Sequence, residues 1–369
     1  MKSKNIFWVV LTLIILGCSN DDNPIEEPEE VTIASFRVVG EDADNVYQYD
    51  YDGDIGSGEL INLTEEIGVL PSFLTLRQLD EFLSFYSFRD GAFSLAQRNY
   101  RNGASATYVD FYANGPNRSV AWGTNTLTNV FFGYFGSGDS RVLAIQDVDL
   151  QNSQSQDLTI DFNINLLFQP VLFEDKVYIT YLDNEGNYKL TFYDTLGKTL
   201  GPIINFSTIP ISILIDAAGD VAVVKNGITP TLEIYDSDDL LFKGANDLTF
   251  NTGFSPGPVD GAELLDNKLY YAMPFVQPAR FSAGPAIFDL ETQENMAIDL
   301  IGIVEEAEQE MGFTITVNTQ TFSRSKNMFF VGYALLETGN QGGVLQISTE
   351  GELVNNTTFP FFPTYIIKD

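Results

Sequence analysis

Short apolar runs separated by polar turns organise the chain from residue 32 onward, and helical periodicity is scarce there. Such runs, rich in β-branched and aromatic residues, predict strands. The same local event recurs: a run ends, a polar turn follows, and another run begins. The clearest turns lie at residues 50, 97, 147, 194, 236, 289 and 348, about 42 to 59 residues apart. The pattern predicts an all-β chain built from repeats.

The length of the repeat predicts a β-propeller. A period of about 40–50 residues with about four short strands per unit is typical of propeller blades. Residues 32–369 would then form one domain of seven four-stranded blades, each of about 48 residues. Many strands carry apolar residues on both faces, as sheets packed between neighbours require. Six or eight blades, or a pair of β-sandwich domains, are the alternatives.

Two late segments interrupt the strand pattern. Residues 300–312 predict a short helix with an acidic face, ended by Gly312. Residues 274–285 contain three prolines and Arg280. Because insertions in a propeller usually shape its binding surface, Arg280 is a candidate ligand-binding residue.

The first residues indicate where in the cell the protein is located. Lys2 and Lys4 precede an apolar run over residues 6–16, and Cys18, the only cysteine, follows Gly17. The run is too short to cross a hydrocarbon core, which needs about 20 apolar residues. The sequence Ile15-Leu16-Gly17-Cys18 resembles a bacterial lipoprotein signal. The resemblance implies a signal peptide over residues 1–17, and acylation of Cys18, palmitate included, that anchors the protein to a membrane.

Residues 18–31 are predicted to be a tether. Residues 19–30 hold six carboxylates and two prolines, too little apolar surface to fold. An acidic stretch directly after the cysteine resembles the surface-export signal of Bacteroidota lipoproteins, and the repeats resemble the propellers common among them. The resemblance implies the outer face of the outer membrane. The periplasmic face is the alternative.

Composition excludes several kinds of function. Acidic residues outnumber basic ones 51 to 19, and the net charge is −32. Such a surface repels nucleic acid, so no DNA or RNA partner is expected. There is no histidine, which excludes a Ser-His-Asp triad and every histidine-ligated metal site. With Cys18 acylated, no thiol nucleophile remains.

Arginine and aromatic residues are concentrated between residues 77 and 141. Arginine can clamp a carboxylate or phosphate, and exposed aromatic side chains can stack on sugars. Surface ion pairs and blade cores are the alternative uses of these residues. The candidate ligand-binding residues, here and later in the chain, are Trp122, Arg89, Arg118, Arg280 and Arg324.

Three carboxylates at alternate positions, Asp50, Asp52 and Asp54, are a candidate calcium site, because calcium prefers oxygen ligands. They do not fit an EF-hand, which needs glycine and glutamate where Ile55 and Ile61 stand. An acidic hairpin turn is the alternative interpretation. No other cofactor is predicted.

The sequence favours binding over catalysis. The leading hypothesis is a surface-anchored module that captures a small molecule, glycan or protein, as an accessory to an outer-membrane transporter. A carboxylate-dependent glycan hydrolase or lyase is the second hypothesis, since such chemistry needs only two Asp or Glu residues across a pocket. A structural or adhesion protein of the envelope is the third.

Overall fold

The computed structural model describes residues 32–116, 118–136, 142–161 and 164–368. Residues 33–369 group into one compact unit, and its described strands form seven sheets. The seven sheets confirm the predicted seven-bladed propeller, and the alternative of two β-sandwiches is wrong. The predicted signal peptide and tether lie outside the described residues. Neither helix in the described part is long and apolar enough to cross a membrane.

The blades are numbered from the N terminus, and their strands are given in pairing order. Blade 1 contains Phe362–Ile366, Phe36–Glu41, Val46–Asp52 and Ser57–Asn62. Blade 2 contains Thr75–Leu79, Phe82–Arg89, Ala92–Asn99 and Ser105–Ala113. Blade 3 contains Arg118–Asn125, Asn129–Gly136, Leu143–Asp149 and Ser155–Asp161.

Blades 4 and 5 depart slightly from four strands. In blade 4 the first and fourth positions are each split in two, giving Ile164–Leu167 with Val171–Phe173, then Lys176–Asp183, Tyr188–Asp194, and Thr199–Leu200 with Ile204–Asn205. Blade 5 contains Ile211–Ile215, Val221–Lys225, Thr231–Tyr235 and Phe242–Asp247, and Gly257–Pro258 adds in parallel to its first strand.

Blades 6 and 7 are regular. Blade 6 contains Glu263–Leu265, Lys268–Pro274, Ala283–Asp289 and Asn295–Ala297. Blade 7 contains Ile315–Ser323, Met328–Leu335, Gly342–Ser348 and Leu353–Phe359.

The two ends of the described chain meet in blade 1. The strand Phe362–Ile366 pairs antiparallel with Phe36–Glu41, with Val38 opposite Ile366. The last strand of the chain therefore supplies the first strand of the first blade. This pairing closes the ring and covers a sheet edge that would otherwise be open.

Apolar packing between neighbouring blades holds the ring together. The buried residues of the described part form seven hydrophobic clusters, and each joins two adjacent blades. Val344 and Leu345, neighbours on the third strand of blade 7, are both fully buried but belong to different clusters, one facing blade 1 and one facing blade 6. Apolar residues on both faces of a strand are thus explained by burial between two sheets.

A polar cap ends the third strand of every blade and explains the repeat in the sequence. A side-chain oxygen at the end of the strand accepts hydrogen bonds from backbone N–H groups of the following turn. The caps are Asp52, Asn99, Asp149, Asp194, Asp236, Asp289 and Ser348. In blades 1 to 3 the cap lies two residues beyond the turn predicted from sequence, because residues 50, 97 and 147 still belong to the strand.

Both helices have side-chain caps. Asn62 accepts a hydrogen bond from the N–H of Glu65 and begins α1, Leu63–Ile67. Asp299 accepts one from Gly302 and begins α2, Leu300–Met311, which ends at Gly312 with φ 75°. This confirms the helix predicted over residues 300–312. Its buried residues pack into the cluster between blades 6 and 7.

Candidate functional site

First strands of several blades line a cavity of about 490 Å³, which we call the central cavity. Its lining includes four charged side chains, those of Arg77, Asp80, Asp260 and Lys368. Closure of the ring brings these groups together, although Gln78, beside Arg77, is separated from Lys368 by 290 residues. The cavity is a candidate site because groups from many blades converge there.

Gln78 holds the C-terminal segment in place at this cavity. Its Oε1 accepts hydrogen bonds from the hydroxyl of Tyr365 at 3.1 Å and from the N–H of Lys368 at 3.0 Å. Its Nε2 donates to the carbonyl oxygen of Lys368 at 2.6 Å. One side chain therefore fixes the backbone from which the Lys368 ammonium projects.

Charged neighbours tune Tyr365 in the cavity wall. Burial raises the pKa of Tyr365, the carboxylate of Asp260 raises it further, and the guanidinium of Arg77 lowers it. Arg77 also donates to the carbonyl oxygen of Gly123 at 3.2 Å and to the side chain of Gln169. The phenol therefore stays neutral and can only act as a hydrogen-bonding group near neutral pH.

Glu263, on the first strand of blade 6, is a desolvated carboxyl group next to this cavity. Burial raises its pKa, and the charges of Lys368 and Arg324 lower it in part. A carboxyl group with a raised pKa beside a cavity is typical of a functional site, although structural networks produce such shifts too.

Most basic side chains in the described part are already paired with carboxylates. Within 4.0 Å, ion pairs join, for example, Arg98 to Glu66 and Lys225 to Glu233. The described basic residues that form no such pair are Arg77, Arg89, Lys268, Arg324, Lys326 and Lys368. In a chain with a large excess of carboxylates, these cations have no carboxylate contact among the described residues, although Arg77 already donates to Gly123 and Gln169.

A second cavity, of about 610 Å³, lies beside blade 2. Buried Phe85 and half-buried Phe73 line it, together with the exposed side chains of Leu70, Phe88 and Val109. We call it the blade 2 pocket. Its lining also includes Arg89, Asp90 and Asp110, so an apolar interior carries charges. Sites for small molecules commonly combine an apolar lining with a few polar groups.

A β-bulge shapes one wall of the blade 2 pocket. The register between the third and fourth strands shifts between Phe93 and Leu95. Opposite this shift, Asp110 has φ 48°, and its N–H donates to the hydroxyl of Ser94 at 2.9 Å. The fourth strand has two extra residues at this shift, and Val109, within this stretch, is 73% exposed. Bulges often re-aim side chains beside binding sites.

Two of the three candidate calcium residues lie at a third cavity, an open groove of about 800 Å³, and Asp54 is not part of its lining. Asp50 pairs with Arg37 at 3.3 Å, and Asp52 accepts a hydrogen bond from the N–H of Asp54 at 2.9 Å. Asp50 and Asp52 line the groove. The described residues contain no group of three acidic side chains placed to hold a metal ion. Calcium binding here stays a prediction.

Arg118 lies in a network between blades 2 and 3. It donates to Tyr112 at 3.2 Å and to the side chains of Gln146 and Asp157, and it lies over the ring of Tyr134. Burial lowers the pKa of Arg118, but its contacts with Tyr112 and Asp157 raise it overall. The network fixes this guanidinium between strands.

Trp122 is 4% exposed and lies in the cluster between blades 3 and 4. Its ring packs directly on Gly133 of the neighbouring strand, where a Cβ would come within 2.2 Å of the indole. It does not line any of the three cavities described above.

The remaining candidates lie apart. Arg280 pairs with Glu308 of α2 and donates to the carbonyl oxygen of Ile315 at 3.3 Å, so it links the segment 274–285 to the helix. Arg324 is exposed on the turn after the first strand of blade 7, near Glu263. Cys18 lies outside the described residues. Of the predicted arginines, only Arg89 lines one of the three cavities.

Sequence reasoning missed Gln78, Asp260, Glu263 and Lys368. Each lies in a short or irregular segment without a local pattern that singles it out. The only signal available in the sequence was indirect. A chain predicted to close into a ring must bring its C-terminal strand to the central cavity.

No family model and no curated protein matches this chain. Among solved structures, it is similar to a puromycin hydrolase, with 14% identity over 89% of this chain and a TM-score of 0.52. The chain spans 55% of that protein's length. It is also similar to a putative 6-phosphogluconolactonase from Bacteroides uniformis, with 10% identity, 90% of this chain and 99% of that chain covered, and a TM-score of 0.51. At such low identity these similarities show the propeller fold alone.

Proposed function

We propose that the protein is a lipid-anchored binding protein of the outer membrane, which captures a small ligand with an apolar body and an anionic group. The observation that carries the proposal is the blade 2 pocket, where apolar side chains surround about 610 Å³ and Arg89 has no ion pair within the described residues. Such a pocket has the size of typical small-molecule sites, about 300–1,000 Å³.

The lining suggests how the ligand would be held. Phe88 and Val109 are 47% and 73% exposed, so a ligand that covers them removes apolar surface from water. Burial of that kind contributes roughly 25 cal/mol per Å². Arg89 would bind a carboxylate or phosphate of the ligand. Asp90 and Asp110 would repel anionic groups of a ligand that lie away from Arg89 in this pocket.

The pocket can be tested with a form that begins at Ser19, which retains the compact unit of residues 33–369. Anilinonaphthalene sulfonate, an aromatic anion, is titrated by fluorescence and then displaced with siderophores, haem and glycans. Val109→Asp should weaken dye binding at least tenfold, whereas Leu196→Asp, on blade 4 and 75% exposed, should leave it unchanged. Equal binding by both variants would place the dye elsewhere and refute the pocket.

The anchor has its own test. Cells that express the full chain are labelled with a palmitate analogue, and Cys18→Ser should abolish the label. Protease added to intact cells then distinguishes the two membrane faces, because a surface protein is digested and a periplasmic one is protected. Labelling that persists in Cys18→Ser would contradict the anchor.

A carboxylate-dependent hydrolase is the second candidate function. It is favoured by Glu263, whose pKa is raised by burial, as a general acid needs, and by Asp260, which lines the adjacent cavity. A screen of chromogenic glycosides would detect this activity. Turnover that survives in both Glu263→Gln and Asp260→Asn would exclude these residues as its acid and base.

A further inference from the structure

The central cavity contains two opposite charges that do not satisfy each other. Lys368 and Asp260, a cationic and an anionic residue, both line it. Neither forms an ion pair within 4.0 Å with any described residue, including the other. Most described basic side chains of this acidic chain are paired, whereas the charge of Lys368 acts on Glu263 without an ion pair within 4.0 Å, so it can still bind an anionic group.

Hydrogen bonds hold the backbone at or beside each of these two residues. The hydrogen bonds from Gln78 fix the N–H and the carbonyl oxygen of Lys368. Asp260 follows the short strand Gly257–Pro258, and the N–H of Val259 beside it donates to the carbonyl oxygen of Ile213 at 2.9 Å. The two backbones belong to different parts of the ring, since Lys368 follows the first strand of blade 1 and Asp260 lies between blades 5 and 6.

Neutral hydrogen-bonding groups complete the lining. Thr319, Thr321 and Thr364 offer hydroxyl groups. Gln320 also lines the cavity, and its Oε1 is buried with no hydrogen-bond partner among the described residues. A buried amide oxygen without a donor typically costs about 1–3 kcal/mol, and this oxygen is too enclosed to be reached by a ligand in the cavity.

We infer that the central cavity binds a small zwitterion with an ammonium and a carboxylate, such as a free amino acid or a short peptide. The carboxylate of the ligand contacts Lys368, and its ammonium contacts Asp260. The volume of about 490 Å³ is sufficient for a ligand of that size. This site is separate from the blade 2 pocket and does not depend on it.

The charges favour a zwitterion over a simple ion. An anion would meet the carboxylates of Asp80 and Asp260, and a cation would meet Arg77 and Lys368. Each would meet two attractive and two repulsive charges, whereas a zwitterion can place each of its ends beside charges of the opposite sign. Charge-assisted hydrogen bonds are about twice as strong as neutral ones, so each end contributes to selectivity.

The test uses the full chain in detergent and isothermal titration with alanyl-alanine, its N-acetyl derivative and its C-terminal amide, alongside free alanine. The dipeptide or alanine should bind, and both blocked derivatives should bind at least tenfold more weakly. Absence of binding by both alanine and alanyl-alanine, or equal binding by the blocked derivatives, would overturn the inference.

Variants of the two charged residues test which of them binds the ammonium of the ligand and which binds its carboxylate. Asp260→Asn should weaken the free dipeptide but not the N-acetyl derivative, and Lys368→Gln should weaken the free dipeptide but not the amide. Asp247→Asn and Lys268→Gln, exposed and outside the lining, are the matched controls and should bind normally. Circular dichroism of each variant confirms folding. A uniform loss in all four variants would contradict the assignment.

Discussion

The side-chain amide of Gln346 bonds both backbone polar groups of Ala34. Its Oε1 accepts from the N–H at 2.8 Å, and its Nε2 donates to the carbonyl oxygen at 3.0 Å. Gln346 is fully buried in blade 7, and Ala34 directly precedes blade 1. Together with the pairing of Phe362–Ile366, this contact joins the first and last blades.

Loss of that contact should weaken the closed ring. Gln346→Leu removes two hydrogen bonds and leaves a buried N–H and carbonyl oxygen without partners. We expect a loss of about 2–4 kcal/mol in the free energy of unfolding. Urea denaturation measures it, and Gln154→Leu, at an exposed turn, is the control. A loss below about 1 kcal/mol would mean that water replaces the amide.

The turns after the third strands predict a reciprocal pair of substitutions. Gly56 and Ser153 occupy the same place in blades 1 and 3, four residues beyond the cap, with φ 71° and 57°. A side chain at positive φ costs roughly 1 kcal/mol. Gly56→Ser should therefore destabilise, although its Cβ would meet no atom within 4 Å, and Ser153→Gly should stabilise. The midpoint of thermal unfolding is measured for both variants. Shifts of the midpoint in the same direction would contradict positive φ as the common cause.

These turns show why the fold could be predicted from the sequence. A cap such as Asp194 or Asp289 must follow each third strand, and the strand must be apolar on both faces because a blade lies on either side. Both requirements are local, so they leave a mark in the sequence. The shift from residue 147 to Asp149 arose because buried polar residues inside a strand resemble a turn.

The candidate sites could be predicted only in part. Arg89 was identified because arginines and aromatics cluster in the sequence across blades 2 and 3. Lys368 and Asp260 could not be identified, since only ring closure brings them to one cavity. Trp122 was proposed for ligand stacking, but a glycine on the adjacent strand makes room for it in a core. Long-range pairing decides such cases.

Asp183 should contribute acid-dependent stability. Burial alone would raise its pKa, but hydrogen bonds from the backbone and side chain of Asn187 and from Lys189 bring the pKa down to about 2. A depressed carboxyl pKa stabilises the fold above the unfolded value of about 3.9, and this contribution is lost as the pH falls toward 2.

Asp183→Asn tests this dependence. The variant should lose about 1–2 kcal/mol at pH 7 and little at pH 2, measured by urea denaturation across that range. Asp54→Asn, at an exposed turn, is the control. A difference that is the same at both pH values would show that the carboxylate charge is not the cause.

Glu263 should show the opposite dependence. Because burial raises its pKa, the folded state holds the proton more tightly than the unfolded state, and stability falls as the pH rises above about 4.3. Glu263→Gln should thus be more stable than the native protein at pH 8 and no more stable at pH 3. A variant that is less stable at pH 8 would indicate that Lys368 and Arg324 outweigh the desolvation.

Trp122 and Gly133 should be energetically coupled. A Cβ at Gly133 would lie 2.2 Å from the indole, and no flexible side-chain end is there to yield. Gly133→Ala should therefore cost about 1–3 kcal/mol or more by overpacking. In a Trp122→Leu background the same change should cost less, since the smaller side chain leaves room for the methyl group. Denaturation of the two single variants and the double variant gives the coupling directly. Additive losses would mean that the strand itself, rather than the indole, requires glycine at this position.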